Sequence, residues 1–305
     1  HAMKLATLNA LIAAVEDGSL RSAARRVGLS QPALTKTIRE LEVELGAQLL
    51  QRSSRGVTPT PQGKLLYEHA IKATRELGTA VNTIRQMSGQ MVGEVHIGAV
   101  PLAVMLLIPE TLRTFGQEFP QIRLRVSEEL YVEPLHSLRS EEVDVTVGGI
   151  PSDLPPGEFT VERLLHTTMV PTVRKDSQWL KAKELRDLQD ARWVLTGSNG
   201  ESGYARLMFE KHGLRPPVVG AVVNSTLALL SLVISSDCIA LMPEQIARGA
   251  LASQYISVIP IREQGIELEV GAIMRSNAVL SPVLRQLTTH LHRAAHHVQK
   301  DLPPA

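Results

Sequence analysis

Cysteine is nearly absent from this chain of 305 residues, since Cys238 is the single one. One thiol cannot build an intrachain disulfide framework or a multi-cysteine zinc site, and its apolar surroundings at 238–242 predict a small core residue. Apolar runs of about 18 residues, the length of a membrane-spanning helix, are also missing. No charged segment followed by an apolar one precedes the first helical pattern, so we expect no secretory signal, a cytoplasmic location and no membrane partner.

Excess charge is scarce overall, with a formal net charge of +1, but it is unevenly distributed. Residues 1–92 hold 12 Lys and Arg against 7 Asp and Glu, a net charge of +5, whereas residues 93–305 hold 20 against 24, a net charge of −4. The chain is long enough, with 44% hydrophobic residues, for two or three globular domains. The basic N-terminal part is therefore predicted to meet a polyanion, and the acidic part is not.

Three short helices are predicted in residues 3–60, which we call the head. The spacing of apolar residues gives the first helix an inner face of Leu5, Leu8, Ile12 and Val15. A second helix fits 19–27, with Ser19 as its cap and a turn at Gly28. The expected inner faces of the second and third helices are, respectively, Leu20, Ala23, Ala24 and Val27, and Leu34, Ile38, Leu41 and Leu45.

The third helix has the features of a DNA recognition helix. Ser30 and Pro32 form its predicted cap and first turn. The outward residues of its N-terminal turns, which suit base edges and phosphates, are Gln31, Thr35, Lys36 and Arg39. From spacing alone, a solvated polar face on an ordinary three-helix domain is the alternative. The following segments, 49–52 and 55–60, predict a short strand pair with a basic tip, as in the wing of winged helix-turn-helix domains.

The head resembles the LysR-type transcriptional regulators over about 60 residues, and the resemblance extends more weakly to the end of the chain. The match runs through residues 18–42 and then includes Leu45-Gly46, Leu49-Leu50, Arg52, Arg55-Gly56-Val57 and residues 60–63. The resemblance implies that Gln31, Pro32, Thr35 and Lys36 contact bases. It implies that Ser30, Thr37, Arg52, Arg55 and Thr58 approach the DNA backbone.

A long linker helix is predicted over residues 61–88, opened by Thr60-Pro61. Its apolar residues repeat at alternating spacings of four and three, as in a heptad seam: Leu66, Ala70, Ala73, Leu77, Ala80, Ile84 and Met87. The seam predicts a homodimer, which would let two heads read an inverted-repeat operator. A helix packed on its own domain is the alternative.

Residues 93–305, which we call the body, alternate short β-branched runs with helical patterns. Strands are expected at 94–99, 122–128, 143–148, 163–173, 193–195, 218–223, 238–242, 256–260 and 267–273. Helices are expected at 102–119, 133–140, 204–212, 226–235 and 244–252. This alternation predicts α/β domains with largely parallel sheets. The whole chain is thus expected to be α/β with an all-α winged helix-turn-helix head.

The resemblance implies that the body consists of two doubly wound α/β subdomains, as in periplasmic binding proteins, with an effector held in the cleft between them. The implied domains are 3–60 for DNA binding, 61–92 for the linker and dimerisation helix, and 93–305 for the effector. The implied subdomains are 93–163 with 267–305, and 164–266. Three polar or glycine-rich loops stand just before helices. The free backbone N–H groups at the start of these helices favour an anion. The expected cleft residues are Val100, Pro101, Glu128, Tyr131, Gly148, Gly149, Thr196, Ser198, Asn199, Asn224, Ser225 and Met242.

No arginine or lysine stands in these loops, and Arg275 is the nearest basic candidate for an effector carboxylate. His292 and His296 have the spacing of metal ligands, but histidines that favour the dipole near a helix C-terminus are the simpler interpretation. Nucleophile-elbow and nucleotide-binding spacings are absent. We therefore expect no enzyme activity, no cofactor and no metal.

Function follows as a hypothesis from the head and the body together. We expect a LysR-type regulator, assembled as a homodimer and then a homotetramer, that binds double-stranded pseudo-palindromic DNA of the T-N11-A type. A small organic or aromatic acid is the expected effector. The alternative is a small-molecule binding protein whose basic head binds a protein partner instead of DNA.

Overall fold

The computed structural model describes residues 3–54, 56–129, 134–196 and 203–300. The chain divides into two compact units, one ending at Ile84 and the other beginning at Arg85. Within the described ranges, no helix is both long and apolar enough to cross a membrane.

The head contains three helices and a two-stranded wing. A long helix follows it. The wing strands are antiparallel, with Leu50 opposite Pro59 and Ser53 opposite Gly56. The elements are α1 (Leu5–Asp17), α2 (Leu20–Arg26), α3 (Gln31–Leu45), β1 (Leu50–Ser53), β2 (Gly56–Pro59) and α4 (Pro61–Met87).

The buried face of α1 differs from the expected one. Its core residues are Ala10, Leu11, Ile12, Ala13 and Ala14, whereas Leu5 is exposed and Leu8 and Val15 are half-buried. The spacing of large apolar side chains therefore predicted the wrong centre of the face. The error arises because alanines let α1 approach the rest of the head closely, and a pattern of large residues does not record such contacts.

The other two helices largely follow the expected pattern. The buried residues of α2 are Leu20, Ala23 and Ala24, and those of α3 are Leu34, Ile38 and Leu41. Leu45 is an exception because its side chain is 43% exposed at the end of α3. The predicted caps are confirmed: Ser19 accepts from the Ser22 amide, and Ser30 accepts from the Ala33 amide.

The wing is joined to α3 and α4 by side chains that satisfy backbone groups. One Glu42 carboxylate oxygen accepts from the amides of Leu49 and Leu50, at 2.8 and 3.2 Å. Thr60 donates its hydroxyl to the Gln48 carbonyl at 2.6 Å and accepts from the Gly63 amide at 3.0 Å. The predicted start of α4 at Thr60-Pro61 is confirmed, and α4 therefore leaves the wing in a fixed direction.

The predicted seam of α4 is buried only where the helix meets the head. Ala70 is buried and Leu66 packs against the head core. Farther along, Leu77 is 52% exposed, Ile84 64% and Met87 69%. The C-terminal half of the seam is therefore largely exposed in a single chain.

The body combines a large mixed sheet with a small parallel one. Short 3-10 helices occur at Gln178–Lys181, Leu185–Leu188 and Ser276–Leu280. The first half contains β3 (Gly93–Ala99), α5 (Pro101–Leu106), α6 (Ile108–Glu118), β4 (Ile122–Glu128), α7 (Pro134–Arg139), β5 (Val145–Gly149) and β6 (Phe159–Arg174). The second contains β7 (Arg192–Thr196), α8 (Tyr204–Lys211), β8 (Val218–Val223), α9 (Thr226–Ser235), β9 (Ala240–Pro243), α10 (Glu244–Ala247), β10 (Ile256–Val258), β11 (Ile266–Arg275) and α11 (Pro282–Lys300).

The expectation of largely parallel sheets is wrong in detail. β3 is parallel to β4 and β5, and β7 is parallel to β8. β6 instead pairs antiparallel with β9, β10 and β11, and β11 pairs antiparallel with β5. β6 is the common partner, since its first part pairs with β11 and its last part pairs with β9 and β10.

The helix expected over 102–119 is two helices, α5 and α6. The break falls at Leu107, and Pro109 lies in the first turn of α6, where its missing N–H requires no partner. The helix expected over 244–252 ends early, because α10 stops at Ala247. Both errors concern helix ends, which apolar spacing defines poorly.

Two large apolar clusters hold the body together, beside a small one formed by Leu138, Val143 and Ile273. The larger one packs α5, α6 and α11 against β3 and β5 and includes Ile97, Phe115 and Leu287. The second centres on Trp193 and Phe209, whose rings meet edge to face with centroids 5.3 Å apart. Cys238 packs at the margin of the larger cluster and is only partly buried.

The crossing of α4 over the wing predicts that Gly63 tolerates no side chain. A Cβ there would overlap the Leu49 carbonyl oxygen, which is backbone and cannot rotate away. We expect Gly63→Ala to destabilise the head by about 1–3 kcal/mol, measured by urea denaturation followed by circular dichroism. Gly78→Ala is the control on the same helix, because nothing lies within 4 Å of that position. It should be neutral or stabilising by up to about 1 kcal/mol, and equal effects of the two substitutions would contradict the close crossing.

Candidate nucleic-acid interface and effector cleft

The first turns of α3 present a polar surface with apolar support beneath it. Ser30, Gln31, Pro32, Lys36 and Arg39 are exposed, and Leu34 and Ile38 on the opposite face are buried in the head core. Thr35 and Thr37 are half-buried. The backbone of the proposed reading residues is thus fixed by packing, while their side chains stay accessible.

Two of the predicted contact residues use polar atoms within the helix. The Thr37 hydroxyl donates to the Ala33 carbonyl at 3.0 Å, so in this state it is not free to donate to a phosphate. Lys36 lies 3.7 Å from the Glu40 carboxylate, and both side chains are strongly exposed. An exposed ion pair of this kind is weak, so Lys36 can exchange Glu40 for a base or phosphate at a small cost in free energy.

The wing carries further exposed polar residues of the head. Arg52 and Thr58 are exposed on the two strands, while Val57 anchors the hairpin in the core. The Val57 amide also donates to the Gly18 carbonyl at 2.9 Å. Arg55, predicted at the wing tip, lies outside the described residues.

An ion cluster holds α1 and α2 in place behind this surface. Arg26 contacts Glu16 at 2.6 Å and Asp17 at 3.0 Å. Hydrogen bonds from Ser22 and Arg26 lower the pKa of the Asp17 carboxyl, so it stays ionised at neutral pH. The cluster engages one basic side chain of α2, that of Arg26.

One group of expected cleft residues follows the carboxyl ends of β3, β4 and β5. Because β4 and β5 both run parallel to β3, these ends meet at one edge of the sheet. Val100 precedes α5, and its Cγ1 lies 2.8 Å from where a Cβ at Gly148 would stand. Val100 therefore covers Gly148 and offers an apolar contact. Pro101 opens α5 and Glu128 ends β4.

A second group follows the parallel strands β7 and β8. Thr196 ends β7, and Asn224 and Ser225 lie between β8 and α9. Ser225 caps α9 by accepting from the Ala228 amide at 3.4 Å. Met242 is only 2% exposed and packs in the larger apolar cluster, so it is a core residue and not part of the cleft surface. Tyr131, Ser198 and Asn199 lie outside the described residues.

Direct contacts bring the two groups together. The Glu128 carboxylate accepts from the Thr226 amide at 2.9 Å and, at shorter range, from the Thr226 hydroxyl. A Cβ at Gly149 would lie 3.2 Å from the Tyr204 hydroxyl. The ends of β4 and β5 thus face the starts of α9 and α8, which is the arrangement that a binding cleft requires.

Arg275 is not available to an effector, contrary to the sequence-based expectation. Its guanidinium donates to the carbonyls of Leu138 and Val143, at 2.7 and 2.9 Å, and lies 3.8 Å from Asp144. Its side chain is 16% exposed. Burial raises the pKa of the Asp144 carboxyl, while a hydrogen bond from the His96 amide and the charge of Arg275 act in the opposite direction. Arg275 is therefore a structural clamp between α7 and β5.

Two histidines of α11, His290 and His292, have structural partners. His290 is 1% exposed, with Nδ1 2.7 Å from the Thr114 hydroxyl and Nε2 2.9 Å from the Glu118 carboxylate. His292 pairs with Glu162 at 3.1 Å. Buried hydrogen bonds, and not the helix dipole, account for His290. Searched over the described residues, His, Cys, Asp and Glu side chains form no group of three or more placed to hold a metal.

Two residues outside the expected cleft set approach its members, and one of them, Thr226, ends a loop that the sequence already indicated. Thr226 binds Glu128 directly, and Tyr204 approaches Gly149. Thr226 adjoins the predicted Asn224-Ser225 pair, so its position at the first turn of α9 was the available signal. Tyr204 carried no comparable signal, because its place next to Gly149 depends on how α8 packs in the fold.

Family models match both units of the chain. Residues 5–64 match the bacterial regulatory helix-turn-helix proteins of the lysR family, and residues 88–296 match the LysR substrate binding domain. The chain is 30% identical to the HTH-type transcriptional regulator BenM of Acinetobacter baylyi, over 79% of this chain and 80% of that one. It is 27% identical to the HTH-type transcriptional regulator TdcA of Escherichia coli K12, over 86% of this chain and 84% of that one.

Solved structures with the same fold include a regulator bound to DNA. Full-length CbnR complexed with its target DNA superposes with a TM-score of 0.70 at 22% identity, covering 96% of this chain and all of that one. At this identity the likeness shows the fold: a winged helix-turn-helix head and a body of two α/β subdomains of the periplasmic-binding-protein type.

Proposed function

The chain belongs to the LysR family of transcriptional regulators, and from this premise we propose that its head reads double-stranded operator DNA while its body senses a small organic acid. The head as a helix-turn-helix domain and the body as an effector-binding domain follow from family membership. The operator, the assembly, the residue roles and the chemistry of the effector are our proposal. The proposed function involves no catalytic step.

One observation carries the DNA proposal: the exposed face of α3 and the exposed residues of the wing lie in one domain. Gln31 and Lys36 in the first turns of α3 suit base edges, and Arg39 suits a phosphate. Arg52 and Thr58 on the wing suit the backbone beside the groove. We assign the remaining contacts to Ser30, Pro32, Thr35 and Arg55, and to Thr37 once its hydroxyl leaves the Ala33 carbonyl.

Pairing of chains follows from the uncovered half of the α4 seam. Two α4 helices joined along Leu77, Ile84 and Met87 would bury apolar area that a lone chain exposes. A second apolar surface lies at β8, where Val218 and Val219 are exposed on a strand that pairs, among the described residues, only with β7. Two kinds of contact of this sort build a homotetramer that reads a pseudo-palindromic operator of the T-N11-A type.

The body is proposed to hold its effector between subdomains 93–163 with 267–305 and 164–266. The lining residues supply neutral donors and apolar walls, among them Val100, Gly149, Thr196 and Asn224. An organic acid, aromatic or aliphatic, suits the backbone N–H groups at the start of α9. The effector changes operator binding only by its different affinity for two cleft geometries.

DNA recognition is tested with duplexes selected from a random library. Binding should weaken steeply as log salt rises, because phosphate contacts release counterions. Gln31→Ala should lose about 1–3 kcal/mol of discrimination at one base position, since it removes a base-edge contact. Arg52→Ala should weaken binding to every duplex and flatten the salt slope by about one.

Arg186→Ala is the control, because Arg186 is exposed on a 3-10 helix of the body. Its affinity and salt slope should match those of the parent chain. If Gln31→Ala and Arg52→Ala also bind like the parent, the recognition surface is assigned wrongly. A head that binds a protein partner would show little salt dependence with DNA.

The seam is tested by placing charge on it. Leu77→Glu should convert the assembly to smaller species in sedimentation velocity, because a carboxylate would be buried against the partner helix. Operator affinity should fall with it, since one head reads only half a site. Thr79→Glu places the same charge on an exposed position of α4 outside the seam and should leave the assembly intact. An unchanged Leu77→Glu assembly would mean that α4 does not form the dimer contact.

The effector class is tested by thermal unfolding of the full chain with millimolar benzoate, succinate and benzamide. An acid present at about a hundred times its Kd should add about 2.7 kcal/mol of stability. Stabilisation by benzoate or succinate and none by benzamide is the expected result. Equal stabilisation by benzamide would contradict the proposed need for a carboxylate.

A further inference from the structure

The anion position at the start of α9 is already occupied by a side chain of the chain itself. Glu128, the last residue of β4, accepts from both the amide and the hydroxyl of Thr226, the first residue of α9. These residues are 98 positions apart in sequence and belong to the two groups that form the cleft. The contact is therefore a tie across the cleft, and not a local helix cap.

The tie uses the donors that an effector carboxylate would need. Of the amides in the first turn of α9, that of Thr226 binds Glu128 and that of Ala228 binds the Ser225 hydroxyl. Among the described members of the predicted cleft set, Glu128 is the one ionisable side chain, and it is negative. Arg275, the expected counter-charge, is held by backbone carbonyls elsewhere. An incoming acid therefore meets two donors that are already occupied, and a like charge.

We propose that Glu128 is a tethered carboxylate that occupies the effector's anion position and sets the specificity of the cleft. Resting on the proposed acid-sensing function, this makes effector binding an exchange of one carboxylate for another. A tethered group has an effective concentration on the order of millimolar, so a free acid must compete with it. The cleft rejects acids that offer a carboxylate alone and accepts those that add contacts elsewhere, such as to Val100 or Asn224.

The exchange also changes how the two sides of the cleft are joined. While Glu128 binds Thr226, the end of β4 is fixed to the start of α9. When an acid takes its place, the α9 donors remain satisfied but the tie is broken. An effector thus distinguishes the tied state from the untied state, which is the differential affinity that a population shift needs.

Acetate is the probe that tests this exchange, because it offers a carboxylate and almost nothing else. Glu128→Ala should open the position, so sodium acetate should raise its Tm above an equal concentration of sodium chloride. The expected rise is about 2 °C at a few times the acetate Kd. The parent chain should show no difference between the two salts, since its own carboxylate fills the position.

Glu129→Ala is the matched control on the next residue. The Glu129 carboxylate accepts from the Ser137 hydroxyl at 3.0 Å, and burial raises its pKa, but it contacts no amide of α9. Its removal should create no site for acetate. An acetate effect of equal size in Glu128→Ala and Glu129→Ala, or none in Glu128→Ala, would overturn the proposal.

Glu128→Gln provides a second variant should the alanine variant fold poorly. The amide oxygen can still accept from Thr226, but without a negative charge the bond is weaker. Acetate should therefore stabilise Glu128→Gln more than the parent chain, and the absence of any gain would again overturn the proposal.

The outcome for Glu128 is separable from that of the proposed function. Acetate rescue of Glu128→Ala supports the tether even when no acid of the panel stabilises the parent chain, a result that would contradict acid sensing. Stabilisation of the parent by benzoate, with no acetate effect in either Glu128 variant, would support acid sensing and reject the tether. DNA titrations judge the head independently of both.

Discussion

The antiparallel pairing of β6 with β11 is the constraint on which the body depends. Both strands are long, and their register runs from Ile266 opposite Met169 to Arg275 opposite Phe159, with a shift between Val270 and Gly271. A Cβ at Gly271 would stand 2.7 Å from the Glu162 carbonyl oxygen, so the close approach at this shift requires glycine. Since β6 also pairs with β9 and β10 beyond its contact with β11, this one strand connects the strands of the large sheet that lie on either side of it.

Carboxylates at several places satisfy backbone N–H groups outside their own helix or strand. Glu42 joins α3 to the wing, Asp144 binds the His96 amide, and Glu128 binds the start of α9. Each is a charge-assisted hydrogen bond, stronger than a neutral one. Glu128 differs in being exposed on a cleft, where another carboxylate can replace it. The same chemistry is thus structural at two positions and exchangeable at the third.

The head could be predicted from sequence more fully than the body. Caps at Ser19, Ser30 and Thr60 are local hydrogen bonds, and their sequence signals were sufficient. The α1 face was misjudged because its contacts depend on small residues. In the body, the strands were located well, but their direction was not, because antiparallel pairing of β6 and β11 is a property of the whole chain.

The cleft residues divide in the same way. Positions after strand ends, such as Glu128 and Ser225, could be predicted, because parallel strands bring their carboxyl ends to one edge. The fate of Arg275 could not, since its partners are carbonyls of Leu138 and Val143, more than 130 positions away. Arg275 was a candidate partner for the effector carboxylate because it is the nearest basic residue. Its tertiary hydrogen bonds make it unavailable to an effector.

Exchange of the Glu128 carboxylate for an effector carboxylate at the start of α9 has a thermodynamic advantage over binding of an effector without such an exchange. Breaking the Glu128 tie without replacing it would leave the exposed Thr226 amide to water, in place of a charge-assisted hydrogen bond. An entering acid restores a charge-assisted partner and so favours the untied state. By linkage, any operator geometry that favours the untied state must raise acid affinity by the same factor as the acid raises operator affinity. An acid with equal affinity for the tied and untied states would transmit nothing to the DNA.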